Sequence, residues 1–207
     1  MSVLKLFPTH LYRLNSFSSP KMKRLTSDLI DECVLHRDLD TEGEEWSREN
    51  YSHGYTSYSS VTDLPNRSSQ FAQLRNFIDK EVKKFVRALE IDLENGKLEM
   101  STCWVNMMGK GCYHSAHLHP LSVISGTYYL KVPKNSGKFK IEDPRSPYFM
   151  ASPPKTSGAK RENQRHVLIP PKAGDLLLFE SWLKHEVTEN RSDDERISVS
   201  FNYDWMK

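Results

Sequence analysis

The clearest helical pattern in the chain lies in residues 69–91. Apolar residues recur there at steps of three and four, and charged residues fill the positions between them, which indicates an amphipathic helix with one buried stripe. We expect the stripe to pack against a sheet; its members are Phe71, Leu74, Ile78, Val82, Phe85 and Leu89. A weaker pattern predicts a helix over residues 22–35, and residues 46–63, rich in Ser, Tyr and Gly, are typical of irregular structure.

After Gly96 the pattern changes to short β-prone segments bounded by Gly, Pro or Asn. The predicted strands are residues 98–107, 123–132, 138–141, 166–169, 175–179 and 196–203. In the last of them large apolar residues alternate with polar ones, so we expect one apolar face and one polar face. Short strands without intervening helices favour a sandwich or jelly roll over a parallel α/β sheet.

The length of 207 residues and the hydrophobic share of 37% predict one domain with a buried core. We expect this domain to span residues 1–207, with a short strand and a helical flank in residues 1–95 and the β-rich core in residues 96–207. The 29 Lys and Arg residues nearly balance the 27 Asp and Glu residues, giving a formal charge of +2. This balance favours neither a nucleic acid nor a membrane as a partner.

Targeting signals and disulfides are also disfavoured. The sequence has no apolar run long enough to cross a bilayer, and the apolar stretch at its N-terminus is too short for a signal peptide. The three cysteines are odd in number and lack C-x-x-C spacing, which disfavours a disulfide framework or a cysteine zinc site. We therefore expect a soluble, globular, cytoplasmic protein.

Residues 143–164 interrupt the strand pattern. They contain four prolines and show no apolar periodicity, and a loop of this length in a compact domain is usually functional or disordered. The segment has a basic character, which is typical of a solvated loop but also suits a loop that gates a substrate. The basic residues are Lys155, Lys160, Arg161 and the adjacent Arg165.

Three histidines lie close together at His114, His117 and His119. If the chain is extended here, His117 and His119 point to the same face and His114 points away. Two imidazoles on one face can converge on a metal ion, and neutral imidazole suits Fe, Zn, Cu and Ni alike. The alternative is a pair of histidines in a solvated loop that bond backbone carbonyl groups.

A second group of residues strengthens the case for a metal. His185 follows an apolar strand and a turn, and Arg196 lies eleven positions later (196 − 185 = 11). A hairpin that turns near residues 190–194 would bring both onto neighbouring strands. A metal beside a guanidinium group can bind a small dicarboxylate through its two ends. Otherwise Arg196 is a solvated strand residue, paired with Asp193, Asp194 or Glu195.

Four ordered segments, all within about residues 100 to 205, resemble the iron(II)- and 2-oxoglutarate-dependent oxygenases. They are HLHPLSVISGTYYL, GKFKIEDPR, PPKAGDLLLFESWLKHEV and ERISVSFNYDW. The chain is most similar to a bacterial and phage group of these enzymes that is related in fold to prolyl hydroxylases. The resemblance implies a mainly β fold with flanking helices, in which residues 96–207 form a double-stranded β-helix, a jelly-roll or cupin-like barrel.

The resemblance also implies a metal site for Fe(II). His117 matches the first ligand of the family and His185 the distal histidine, while His119 stands where the family normally has an aspartate. Three neutral imidazoles would leave the ion with its full charge, which suits an incoming dianion but leaves zinc or nickel open. Glu142 and Asp143 are the nearest carboxylates in sequence, and either is a candidate to replace His119 as a ligand.

For the cosubstrate 2-oxoglutarate the resemblance implies three binding residues. Arg196 matches the basic residue that binds the far carboxylate, and Ser198 on the same strand face adds a hydroxyl group. Tyr129 matches a tyrosine that bonds this carboxylate in prolyl hydroxylases. Tyr128 takes that place if the register differs by one residue, because such a slip reverses the face.

The function implied is hydroxylation of an unidentified organic or peptide substrate, with dioxygen and 2-oxoglutarate as cosubstrates. One alternative is a cupin-like dioxygenase that uses three histidines without 2-oxoglutarate, but such an enzyme has no need of Arg196. Another is a non-catalytic jelly roll that binds a ligand or a partner protein. An ion whose positions are all filled by the protein would favour that second alternative, since catalytic sites keep an open position.

Overall fold

The computed structural model describes residues 2–207, and its α-helices lie in the first half of the chain. They are α1 (Pro20–Leu39), α2 (Thr41–Asn50), α3 (Leu64–Arg67) and α4 (Ser69–Ala88). The predicted amphipathic helix is confirmed as α4, which ends three residues earlier than expected. Its stripe is buried as predicted, with Leu89 packed at the edge of the core. Within residues 2–207, no helix is both long and apolar enough to cross a membrane.

The expectation of irregular structure over residues 46–63 was wrong in part, because α2 occupies its beginning and a short strand follows at Gly54–Thr56. The N-terminus of α2 is capped by Asp40, whose carboxylate accepts the N–H of Gly43. The residues that α2 buries are Gly43 and Ser47, so the helix has no apolar stripe that a sequence pattern could show. The predicted helix over residues 22–35 is present but longer, as α1.

The strands form two antiparallel sheets, as the pattern after Gly96 predicted. In residues 2–207 the larger sheet has the order β1-β8-β5-β10-β3-β2 and the smaller sheet the order β4-β9-β6-β7. The strands are β1 (Leu11–Asn15), β2 (Gly54–Thr56), β3 (Lys97–Met108), β4 (His114–His117), β5 (Ile124–Lys131), β6 (Phe139–Glu142), β7 (His166–Ile169), β8 (Asp175–Glu180), β9 (His185–Val187) and β10 (Arg196–Met206). Apolar residues from both sheets pack together in the space between them.

The alternation predicted for the last strand is confirmed in β10. Its apolar residues, such as Val199 and Phe201, pack in the main core together with α1 and α4. Its polar residues lie on the opposite face, where Arg196 and Ser198 are buried rather than solvated. The polar face of β10 therefore points into the space between the two sheets.

The predicted hairpin between His185 and Arg196 was wrong. β9 pairs with β4 and β6, whereas β10 pairs with β3 and β5, so the two residues belong to different sheets. The connection between them crosses from one sheet to the other and is held by Asn190, whose amide donates to the carbonyl groups of Met108 and Asp194. The hydrogen bond to Met108 ties this connection to β3.

Three connections meet at one end of the smaller sheet. β4 and β6 end there, and β7 and β9 begin there, because His117 pairs with His185 and Glu142 pairs with His166. The connections are residues 118–123, 143–165 and 181–184. We call this end of the barrel the site end.

Candidate active site

Three histidines converge at the site end. His117 at the end of β4 pairs with His185 at the start of β9, and His119 follows β4, where its backbone N–H donates to the carbonyl of Ser181. The ring centroids of His117 and His185 lie 4.3 Å apart, and those of His119 and His185 lie 5.3 Å apart. One nitrogen from each ring can be chosen so that all three lie within 4.8 Å of one another. The structure therefore brings together the three residues that the sequence proposed as metal ligands.

Backbone carbonyl groups orient two of these rings. Nδ1 of His117 lies 2.8 Å from the carbonyl oxygen of Ser115, and Nδ1 of His185 lies 2.8 Å from that of Leu183. A carbonyl oxygen only accepts, so Nδ1 must be the protonated nitrogen in both rings. This tautomer leaves Nε2 with a free lone pair, which is the arrangement of a metal-binding histidine.

The three histidines are neutral at physiological pH. Burial, with a smaller effect from His117, lowers the pKa of His185 to about 3. Burial likewise lowers the pKa of His119 to about 4, and it lowers the pKa of His117 against the opposing effect of the bond to Ser115. Neutral imidazole is the form that binds a metal ion.

His114 does not point away from the cluster as expected. Its ring stacks on that of His117 with centroids 4.3 Å apart and planes 19° apart. The reason is an irregularity in the pairing of β4 with β9 between His114 and His117, because a bulge shifts which residues share a face. The ring of Tyr51 also packs against the His114 ring, with centroids 5.5 Å apart.

Arg196 is buried deep in the same space, with 1% of its surface exposed. The guanidinium carbon lies 4.9 Å from the centre of the Tyr129 ring. Among residues 2–207, no hydrogen-bond partner lies within reach of Arg196 Nε and Nη1 or of the Tyr129 hydroxyl. Because an unpaired buried charge is costly, this arrangement fits a negatively charged ligand.

The alternative of a solvated, ion-paired Arg196 was wrong. The three acidic residues before it pair with other partners: Asp193 with Lys110, Asp194 with Lys131 and Glu195 with Arg37. These acids lie at the surface, while the side chain of Arg196 points inward from β10.

Tyr129, rather than Tyr128, faces Arg196. Tyr129 pairs across the sheet with Ser198, and both line the cavity that contains the histidine cluster. The hydroxyl of Tyr128 instead lies 2.8 Å from the hydroxyl groups of Ser16 and Thr26, on the helical side of the sheet. The register proposed from the sequence therefore places Tyr129 and Ser198 beside Arg196.

The two carboxylates considered as replacements for His119 lie outside the histidine cluster. Glu142 pairs with Lys184 at 2.8 Å, and Asp143 pairs with Arg145 at 2.8 Å. These partners are the largest causes that hold the pKa of each carboxyl group below its usual value. Over the described part of the chain, the histidine cluster is the group with the spacing of a metal site.

The cavity encloses about 460 Å³, including its open mouth. Four of the residues that line the cavity were not proposed from the sequence as site residues: Tyr51, Trp104, Thr127 and Ser200. Thr127 and Ser200 could have been found, because each lies two positions along its strand from a proposed residue, Tyr129 or Ser198. Tyr51 carries no such signal, since it follows a helix that the pattern did not show.

Comparisons with solved structures show the fold. HygX from Streptomyces hygroscopicus, with nickel and 2-oxoglutarate bound, is 14% identical, and the match covers 95% of this chain and 83% of that chain at a TM-score of 0.63. A Pseudomonas putida prolyl-4-hydroxylase is 16% identical, with coverages of 95% and 92% and a TM-score of 0.60. The shared fold is the double-stranded β-helix with flanking helices that the sequence predicted.

A shorter match is to an oxidoreductase of the 2OG-Fe(II) oxygenase family from Burkholderia pseudomallei. It is 19% identical and covers 54% of this chain at a TM-score of 0.40, and the chain spans about half, 47%, of that protein. No curated protein was found to be similar in sequence.

A family model described as "Putative 2OG-Fe(II) oxygenase" matches residues 102–202. These residues include all three clustered histidines, together with Tyr129, Arg196 and Ser198. They also form most of both sheets, from within β3 to within β10. Through this core, the chain is similar to the 2OG-Fe(II) oxygenase family.

Proposed function

We propose that the protein is an iron(II)- and 2-oxoglutarate-dependent dioxygenase that hydroxylates an organic or peptide substrate. The observation that carries this proposal is the buried Arg196, whose unpartnered N–H groups lie in the same cavity as the histidine cluster. A metal ion and a guanidinium group in one cavity match the two ends of 2-oxoglutarate.

His117, His119 and His185 would hold the iron. The rings of His117 and His185 present Nε2 with a free lone pair, and all three rings are neutral at pH 7. Three protein ligands leave positions open on an octahedral ion for a cosubstrate. Bound iron(II) would activate dioxygen, which is the oxidant: one oxygen atom would enter the substrate and the other the succinate that forms, with carbon dioxide, from 2-oxoglutarate. HygX, which carries nickel and 2-oxoglutarate on a similar fold, supports this assignment.

Arg196, Tyr129 and Ser198 would hold the far carboxylate of 2-oxoglutarate. The planar guanidinium group presents two parallel N–H donors to a carboxylate, and the hydroxyl of Tyr129 adds another. All three side chains are buried, so these hydrogen bonds would form away from competing water. The stacking of Arg196 on the Tyr129 ring keeps the guanidinium plane in place.

Aromatic rings cover part of the histidine cluster. Phe139 and Phe179 pack against the ring of His185 with centroids 5.0 Å and 4.5 Å away. Trp104 lies beside His119 with centroids 6.0 Å apart. A water-poor site strengthens the electrostatic contacts to a bound anion.

The buried Arg196 also weighs against the two alternatives. A cupin-like dioxygenase that works without 2-oxoglutarate has no use for a buried guanidinium group in its cavity. A non-catalytic jelly roll would need a different anion to offset the same charge, and three protein ligands do not fill an octahedral ion.

The test is calorimetric titration of 2-oxoglutarate into the iron-loaded protein without oxygen, followed by measurement of succinate after oxygen is admitted. We expect Arg196→Ala to retain iron and to bind 2-oxoglutarate roughly thirty- to a thousand-fold more weakly, a loss of about 2–4 kcal/mol. Arg196→Lys should fall between, because an ammonium group keeps the charge but not the planar fork.

Lys131→Ala is the matched control, since this residue lies at the surface and pairs with Asp194. It should bind 2-oxoglutarate as the wild type does. Equal binding by wild type and Arg196→Ala, or no binding by either, would contradict the proposal and favour the alternatives.

Two further proposals concern the protein as a whole. We propose that residues 1–207 form one domain, supported by a main core that joins helices α1 and α4 to strands β3, β5, β8 and β10. We propose that the protein acts in the cytoplasm, on the sequence argument from its odd number of cysteines.

A further inference from the structure

His119 differs from the other two clustered histidines in how its ring is held. Among residues 2–207, backbone carbonyl groups orient the rings of His117 and His185. The ring of His119 is held by packing, as beside Trp104 at a centroid distance of 6.0 Å. An imidazole must aim one lone pair at a metal ion, whereas a carboxylate can use either of two oxygens. The placement of His119 therefore depends on how residues 118–123 hold its backbone.

Ser181 is hydrogen bonded to both ends of this connection. Its carbonyl oxygen accepts the N–H of His119 at 3.0 Å, and its own N–H donates to the carbonyl oxygen of Val123 at 3.0 Å. Between these two bonds, Leu121 has a φ of 74°, in the left-handed region that residues other than glycine rarely adopt. The side chain of Leu121 is exposed, so hydrogen bonds at the two ends, rather than packing, hold this conformation.

The side chain of Ser181 begins a series of buried hydrogen bonds. Its hydroxyl lies 2.7 Å from that of Ser125, and the Ser125 hydroxyl donates to Oδ1 of Asn202 at 2.8 Å. Because Ser125 has one O–H and gives it to Asn202, the hydroxyl of Ser181 must be the donor of the first bond. Nδ2 of Asn202 then donates to the hydroxyl of Thr102 at 3.0 Å. We call these four residues the polar network.

The polar network joins Ser181 to three central strands of the larger sheet. Ser125 on β5 pairs with Asn202 on β10, and Asn202 pairs with Thr102 on β3. Ser125 and Ser181 are fully buried, and a buried hydroxyl that loses its partner is costly, so these groups fix one another's positions. None of the four is among the residues in 2–207 that line the cavity. The network therefore lies outside the cosubstrate site.

We propose that the polar network positions His119 for the metal ion. It fixes Ser181, and the backbone of Ser181 fixes that of His119. Ser125 and Ser181 are thus positioning residues, which act through His119 and do not contact the ion. The inference rests on the metal site of the proposed function and adds residues outside the cavity that prepare it.

The test is titration of the metal-free protein with cobalt(II), whose visible absorption reports the geometry of its ligands. We expect Ser125→Ala to bind cobalt(II) about tenfold more weakly and with shifted absorption bands, because groups that orient metal ligands set the affinity. Ser181→Ala breaks the same hydrogen bond and keeps the backbone carbonyl, so it should have the same effect. The double variant should bind no more weakly than either single variant, because both remove one interaction.

Tyr128→Phe is the matched control. It removes buried hydrogen bonds to Ser16 and Thr26 from the same strand, β5, but on the helical side of the sheet. It should lower the stability of the metal-free protein to urea about as much as Ser125→Ala does. It should nevertheless bind cobalt(II) with the affinity and the spectrum of the wild type.

Wild-type affinity and spectrum in the serine variants would overturn the proposal, and Ser181→Ala decides if Ser125→Ala fails to fold. An equal loss of affinity in Tyr128→Phe would also overturn it, because metal binding would then follow general stability. Failure of the proposed function is distinct, since the wild-type protein itself would then not bind cobalt(II).

Discussion

The two sheets differ in what covers their outer faces. The larger sheet packs its apolar outer face against α1 and α4, and its four central strands are six to twelve residues long. The smaller sheet has strands of three or four residues, and its outer face carries ion pairs such as Lys140 with Glu186 at 2.8 Å. Two of the three clustered histidines nevertheless lie on the smaller sheet.

This difference indicates a division of roles. The larger sheet, supported by helices, gives rigid positions to Arg196 and Tyr129, the residues that we propose bind the cosubstrate. The smaller sheet holds His117 and His185 with few backbone hydrogen bonds, so a metal ion should stabilise it more than the larger sheet. Ligand binding stabilises the parts of a protein that it holds together.

The largest effect should come from the core between the larger sheet and the helices. Phe201 is fully buried there, and Phe201→Ala should lower the free energy of unfolding by about 3–5 kcal/mol through loss of apolar contact and formation of a cavity. Leu168 on the smaller sheet is 47% exposed, so Leu168→Ala should cost less than about 0.5 kcal/mol. Urea unfolding measures the loss of stability in both variants. Equal losses would contradict the proposed difference between the two sheets.

The next effect concerns metal binding to the smaller sheet. His185→Ala should weaken zinc or iron binding by roughly a hundredfold or more, because it removes one of the three proposed ligands. The control His166→Ala changes an exposed histidine of the same sheet and should keep full metal content. Elemental analysis after dialysis measures both. Undiminished metal content in His185→Ala would disprove the ligand assignment.

Acid should destabilise the metal-free protein. An unfolded histidine binds a proton near pH 6.5, whereas burial holds the pKa of His185 at about 3 and that of His119 at about 4. Between these values the unfolded state binds more protons, so stability falls as the pH decreases from about 6.5 toward 4. His185 alone should cost about 2 kcal/mol at pH 5.

The slope of unfolding free energy against pH measures how many more protons the unfolded state binds than the folded state. His185→Gln should lower this number by about one. Saturating zinc should add a steeper loss of stability on the acid side, because protons compete with the ion. An identical slope in the variant would show that His185 is not buried in its neutral form.

The smallest effect should come from the surface of the smaller sheet. Glu142→Gln breaks the pair with Lys184, which is half exposed, and should change the free energy of unfolding by less than about 0.5 kcal/mol. Metal content should not change, because Glu142 lies outside the histidine cluster. A loss of metal in this variant would return Glu142 to the ligand set.

Much of the fold follows from periodicity in the chain. The apolar stripe of α4 and the alternation of β10 extend over many residues, so each pattern predicts both the type of element and the face that it buries. The helix α2 could not be predicted in this way, because it buries Gly43 and Ser47 against its neighbours and its polar surface resembles a loop. Short elements that are stabilised by capping and tertiary contacts have no regular hydrophobic pattern in the sequence.

The candidate site likewise has features that the sequence predicts and features that it does not. By itself, the sequence determined which residue types share a face: His117 with His119, and Arg196 with Ser198. Only the tertiary structure decided that the polar face of β10 is buried, that a bulge brings His114 onto the cluster, and that His185 and Arg196 belong to different sheets. The physical reason is that alternation depends on backbone geometry within one strand. Burial, bulges and sheet crossings depend on contacts between residues far apart in the chain.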